Sequence, residues 1–254
     1  MQKATRLLTT KQYKLDKSLG VSVGTYDGVL SAGISLSPKD EASSVLKRSL
    51  PTTCAMAGAC AKACLVFTGM NQYPTHAIAR ARRTAEWFEH RSDFIDRAVA
   101  EFQAVARKAT RHNKLAAGRP NLLSDLPAMA RAIARRLPGL QFYDYSKLRY
   151  PWKRTTKNYH LTYSISERST ADDVRGAFDH GINCAIVLSD VLKGEPIPKT
   201  YTAFGMTRPT VDGDLHDLRF LDPVGVYVLL RFKGSKARRE EATRGQWARP
   251  ANGA

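Results

Sequence analysis

Four short apolar runs between residues 121 and 190 end alike, each followed by a serine and then a charged side chain. The runs are residues 121–123, 140–145 (LQFYDY), 159–165 (YHLTYSI) and 184–188 (CAIVL). They close on Ser124-Asp125, Ser146-Lys147, Ser166-Glu167 and Ser189-Asp190. Helical spacing occupies two of the gaps, at about residues 127–137 and 171–180. Strands alternating with helices call for a parallel sheet, because parallel neighbours are joined by right-handed crossovers. Further strand candidates are residues 21–37 (two short strands or one bulged strand), 200–205, 218–221 and 226–232, giving six to eight in all. Residues 74–111 read as two helices with separate apolar faces, divided at Arg91-Ser92-Asp93 by a new N-cap. The expected fold class is α/β: a single-domain complete or partial (β/α) TIM-like barrel with a cysteine-rich loop after the first strand region. The domain is expected over residues 1–234, with residues 235–254 a basic, mobile tail.

In a parallel barrel the carboxyl ends of the strands share one rim, where functional groups gather. Asp125, Lys147, Glu167 and Asp190 are expected there. Capping of a following helix is the competing explanation for Asp125 and Asp190, but Ser146-Lys147 leads into no helix. Asp144 joins Asp125, Lys147 and Glu167 as a catalytic candidate only if it points inward. Strand neighbours alternate, so inward-facing Tyr143 and Tyr145 would turn Asp144 toward the helices. A second acidic group, Asp212, Asp214, His216, Asp217 and Asp222, lies within eleven residues. It reads either as a turn or as a metal or acid–base site, and in the latter case Asp214 and His216 are the candidates.

Three of the four cysteines, Cys54, Cys60 and Cys64, fall in TTCAMAGACAKACLV with spacing C-x5-C-x3-C. Clustered thiols among small residues suit a soft metal or an iron–sulfur cluster, and the spacing matches no common structural zinc pattern. The competing reading is small buried residues in an alanine-rich segment. His76, Cys184 or an exogenous group are the candidates for a fourth ligand.

The formal net charge is +17, from 40 Lys+Arg against 23 Asp+Glu. Between Arg131 and Lys157 eight basic residues face one acid, Asp144. Arg131, Arg135 and Arg136 fit the solvated face of a helix. Lys147, Arg149, Tyr150, Trp152, Lys153 and Arg154 have no helical periodicity, and form the candidate contact with nucleic acid or another polyanion through phosphate attraction and base stacking. No apolar run reaches the roughly 18 residues of a membrane span. The N-terminus lacks a secretion signal's apolar stretch, and four cysteines do not make a disulfide scaffold. A cytoplasmic protein with no membrane partner is expected.

The blocks TTCAMAGACAKACLVFTGM, ARARRTAEWFEHRSDF, NLLSDLPAM, LQFYDYSK, NYHLTYSISE and VDGDLHDLRFLDPVGVYVLLRFKG run in order from about residue 35 to 234. Together they resemble the phage "gene product 88" family. The resemblance implies a protein of phages and mobile elements, acting in the host cytoplasm, with a radical-SAM-like barrel whose cysteines follow the first strand. It names no reaction. Radical-SAM enzymes space their cluster cysteines C-x3-C-x2-C, whereas the spacers here are five and three, and no glycine-rich block for S-adenosylmethionine follows the second strand. The functional expectation is a metal- or iron–sulfur-dependent barrel enzyme acting on a nucleotide or nucleic acid, with an iron–sulfur cluster or zinc as cofactor and S-adenosylmethionine as a further candidate. The alternatives are a non-enzymatic DNA- or RNA-binding protein with a structural zinc, or a protein that binds a host factor.

Overall fold

A computed structural model describes residues 6–10 and 13–253. The elements in chain order are β1 (Leu8–Thr9), α1 (Tyr13–Lys17), β2 (Val29–Ile34), α2 (Glu41–Leu46), α3 (Pro74–Glu89), α4 (Arg91–Arg111), β3 (Leu115–Arg119), α5 (Pro127–Arg136), β4 (Gln141–Ser146), β5 (Tyr159–Ser164), α6 (Ala171–Asp179), β6 (Cys184–Leu188), β7 (Thr200–Ala203), β8 (Met206–Asp212), β9 (Tyr227–Arg231), α7 (Lys236–Arg244) and β10 (Ala248–Arg249). Local chemistry sets several boundaries. Pro74 and Pro127 open α3 and α5, where a missing N–H costs nothing. Thr170 and Asp173 form a reciprocal capping box at the start of α6.

Among the described residues, ten strands form one sheet in the order β1-β2-β3-β4-β5-β6-β9-β8-β7, with β10 added beside β6. From β2 through β6 to β9 and β8 every pairing is parallel; β1 and β7 are antiparallel at the two edges. Among the described residues the edges do not pair with each other, so of the expected complete or partial barrel the complete form is corrected to an open mixed α/β sheet. The β7–β8 hairpin terminates one edge where a barrel would continue.

Side-chain alternation sorts the two faces. Ala32, Ile34, Phe142, Tyr159 and Leu161 pack under α3, α4 and α5 in one core. Tyr163, Cys184, Ile186, Leu188, Tyr227 and Leu229 pack with Val174, Ala177 and Phe178 of α6 in a second. The opposite face carries Val29, Ala117 and Tyr143, covered by Leu218 and Phe220. Residues 218–221, expected as a strand, are instead part of this covering segment, with a short 3-10 turn at Arg219–Leu221. The strand expected at 121–123 lies earlier, at Leu115–Arg119, and residues 121–123 are the loop leaving it.

Beyond Ala185, β5 no longer pairs with β6. There β10 takes its place, with Ala248 opposite Val187 and Arg249 opposite Leu188. The segment expected as a mobile tail therefore folds back: α7 and β10 bury Ala242 and Ala248 against the sheet. Among the described residues, no helix is long and apolar enough to cross a membrane.

Candidate functional site

The parallel strands direct their carboxyl ends to one side, and a cavity of about 610 Å3 lies there. Arg119 of β3, Tyr145 of β4, Ser164 of β5, Val187 of β6 and Leu230 of β9 all line it. Each belongs to the set that faces away from the helices, so alternation along five adjacent strands delivers one residue apiece to a common space. The loops complete the wall with Cys54, Cys60 and Cys64 after β2, Asn121 and Asp125 after β3, Lys147 after β4, and Trp247 just before β10.

The cysteine loop is tied to the strand ends. The Asp125 amide donates to the Thr53 carbonyl (2.9 Å). Asp125 Oδ2 accepts the Lys147 amide (2.8 Å), and burial raises this carboxyl above its ordinary range. Glu167 Oε1 accepts the Ala59 amide (2.9 Å) and lies where a Cβ on Gly58 would stand. Glu167 thus clasps the middle of the cysteine loop from the end of β5. Cys54 Sγ donates to the Leu123 carbonyl (3.6 Å).

All three thiols share the cavity with the Lys147 ammonium. Burial pushes the Cys54 and Cys64 thiols up, and for Cys64 the neighbouring Cys54 and Cys60 add to the rise. Lys147 is held above its usual value despite desolvation, because Cys60, Asp125, Cys54 and Cys64 surround it with acidic groups. Five other cavity cations are paired: Lys39 with Asp40, Lys62 with Glu241, Arg119 with Asp217, Arg231 with Asp212 and Lys233 with Asp214. Among the described residues Lys147 makes no such pair; its ammonium lies 5.9 Å from the Trp247 ring.

Three convergent thiols are the donor set that a soft metal or an iron–sulfur cluster takes. Among the described residues, no three His, Cys, Asp or Glu side chains stand in an arrangement that could hold a metal ion. Ligation by Cys54, Cys60 and Cys64 together therefore requires the loop that carries them to rearrange. Cys184 is buried on the helix-covered face, and exposed His76 is not among the cavity residues, so neither contributes a donor to the cavity.

The remaining candidates are dispersed. Asp144 is fully buried on the helix-covered face, as the inward placement of Tyr145 requires. It accepts the Asn121 amide and Nδ2 (both 2.9 Å) and the Tyr159 hydroxyl (3.0 Å). Desolvation lifts its carboxyl to about 7. Its reach into the cavity is indirect, through the Asn121 loop. Asp190 accepts the Ala251 amide (2.9 Å) and lines a separate open groove against α7; no helix follows it to be capped. Asp214 and His216 do not pair. Asp214 accepts the Arg231 amide (2.9 Å) and the Lys233 ammonium (2.7 Å), fixing two cavity cations from behind. His216 Nδ1 accepts the Leu218 amide (3.2 Å), and burial beside Arg219 lowers its basicity. The Asp212–Asp214 turn closes on itself, with Asp212 Oδ1 accepting the Asp214 amide (2.9 Å).

The basic loop after Lys147 is largely committed internally. Trp152 stacks on His180, with ring centroids 4.4 Å apart and planes within 8°. Arg149 pairs with Asp173 (2.7 Å), and Arg154 donates to the Arg149 and Tyr150 carbonyls. Lys153 lies 5.2 Å from the Tyr150 ring, which is 44% exposed.

Sequence reasoning missed Arg119, Asn121 and Trp247 as cavity residues. Tyr145 follows directly from the alternation argument. Trp247 had one legible signal, a large aromatic in a segment otherwise read as solvated.

No curated protein and no solved structure matches the chain. A family model described as Gene product 88 matches residues 3–249. With nearly the whole length matched, the chain belongs to the gene product 88 family.

Proposed function

We propose that this protein is a metal- or iron–sulfur-dependent enzyme acting on a nucleotide or nucleic acid at the cavity over the strand ends. The observation that carries the reading is the convergence of Cys54, Cys60 and Cys64 with Lys147 on one cavity lined by five adjacent strands. In this reading Cys54, Cys60 and Cys64 would hold the centre as thiolates once the loop that carries them rearranges. A bound cluster would supply one-electron chemistry, and a bound zinc would supply Lewis acidity. Lys147 stays cationic and offsets the charge of the thiolates or of a substrate phosphate. Glu167 and Asp125 position the cysteine loop, and Arg119, Asn121 and Tyr145 line the cavity beside it.

Protein purified without oxygen or chelator is expected to contain stoichiometric iron or zinc, with visible absorption in the iron case. Replacing Cys54, Cys60 or Cys64 by Ser should lower the metal content in parallel. Wild-type protein without stoichiometric metal, or serine variants that keep it, would overturn the reading. Stoichiometric zinc in a protein that alters no nucleotide or nucleic acid would favour the non-enzymatic alternative.

A further inference from the structure

We propose that the segment that begins in the cavity wall at Lys62 and Phe67 and runs on to residue 78 is a platform for single-stranded nucleic acid, with bases stacking on Tyr73 and packing on Met70 while Lys62, Arg82 and Arg238 meet the backbone. The proposal deepens the reading above and rests on it for the nature of the substrate.

Four large apolar side chains are exposed within twelve residues: Phe67 (44%), Met70 (66%), Tyr73 (55%) and Ile78 (41%). Singly exposed apolar residues are ordinary, but a group held on one short segment marks an interaction surface. The segment is well formed: 3-10 turns at Leu65–Phe67 and Gly69–Gln72 lead directly into α3.

Charge selects the partner. No Asp or Glu occurs between Glu41 and Glu86, while Lys47, Arg48, Lys62, Arg80, Arg82 and Arg83 all fall there; Arg80 is buried against Glu41, and Arg48 and Lys62 pair with Glu89 and Glu241. Arg82 is exposed one helical turn beyond Ile78, and the Lys62 side chain is 71% exposed. From α7, the Arg238 guanidinium covers one side of Phe67 at 3.8 Å. Exposed Tyr73 and Met70, on a segment that carries the exposed Lys62 and Arg82 side chains and no acidic residue of its own, match a polymer of stacked bases and phosphates. Phe67 and Lys62 also line the cavity, so a strand lying on the platform leads to the cysteines. The Lys147–Arg154 loop offers less, since its Trp152 ring already stacks on His180.

The test uses the full-length protein and fluorescence anisotropy, with a labelled oligothymidylate and a duplex of equal length, across a salt series. The single strand is expected to bind more tightly than the duplex. Tyr73→Ala should weaken single-strand binding roughly 5- to 150-fold, the usual scale for one stacked base. Lys62→Ala combined with Arg82→Ala should flatten the log–log salt slope by about 1.4 if each residue meets one phosphate. Lys108→Ala with Arg111→Ala, near the end of α4, should change affinity little. These side chains are exposed, so circular dichroism should show an intact fold in every variant. The proposal is overturned by absence of binding, by tighter duplex binding, by an inert Tyr73→Ala, or by equal losses in the Lys108/Arg111 pair. Cys54→Ser separates the two readings. Oligonucleotide affinity retained in this variant leaves the platform standing whatever its metal content, and metal content unchanged by Tyr73→Ala leaves the centre standing whatever its affinity.

Discussion

His160 shows how one residue couples the sheet's interior to pH. It lies in β5 on the face away from the helices, opposite Tyr143 of β4, and its Nε2 is buried with no hydrogen-bond partner among the described residues. Burial, with the Arg219 cation adding to it, holds its pKa down to about 4. Below the ordinary value of 6.5 the unfolded chain binds a proton that the folded chain refuses. His160 therefore favours the folded state least at low pH. Stability should fall as pH drops from 6.5 toward 4, by on the order of 3 kcal/mol in total from this group. Urea denaturation across that interval should show a shallower decline for His160→Gln than for wild type, and parallel curves would reject the assignment. The same alternation that turns His160 inward also turns Tyr145 into the cavity and Asp144 out of it. That relation is legible from residue parity alone. The clasp of Glu167 on Ala59 was not, because it joins residues 108 positions apart through a backbone amide.

At the scale of elements, β3 (LAAGR) is built for close approach rather than for strand propensity. A Cβ on Gly118 would stand 2.4 Å from Phe142 and 2.9 Å from Phe102, two rings that meet edge to face at 5.1 Å. Gly118→Ala is expected to destabilise the fold by about 1–3 kcal/mol through overpacking, measured by chemical denaturation; a neutral result would show that the ring pair yields. This composition explains why the strand was placed too late in the sequence: Ala and Gly carry no β signal, whereas the apolar Leu122-Leu123 pair does. The helices were easier to read. Met129, Ala130, Ile133 and Ala134 repeat at helical spacing along the buried side of α5, and the Thr170–Asp173 box marks where α6 starts.

Across the whole molecule, the last twenty residues join the first hundred around one cavity. α7 and β10 close the gap left where β5 departs from β6, and Trp247 presents its ring to the same space as the three cysteines. Deleting residues 235–254 should therefore lower the thermal midpoint and speed alkylation of Cys54, Cys60 and Cys64, followed by mass spectrometry. An unchanged midpoint and unchanged rates would mean that the segment is dispensable. Its charge disguised it: in KARREEATR the basic and acidic residues surround the single buried apolar side chain of α7, Ala242, too little for a periodic signal.

The alternation of strands and helices between α3 and β6 and the clustering of the cysteines follow from the sequence, because each depends on local periodicity or on residues a few positions apart. Closure did not follow. Whether the sheet joins its ends is decided by the β7–β8 hairpin and by the 213–222 segment that covers the strands' inner face. Its Asp217 and Arg219 are buried there, Asp217 against Arg119 and Arg219 against Asp222 (3.2 Å). Which polar residues meet in the cavity was likewise settled by tertiary structure alone. Those contacts couple residues such as Arg119 with Asp217 and Lys147 with Trp247, about a hundred positions apart, and no local pattern in a chain encodes a meeting at that separation.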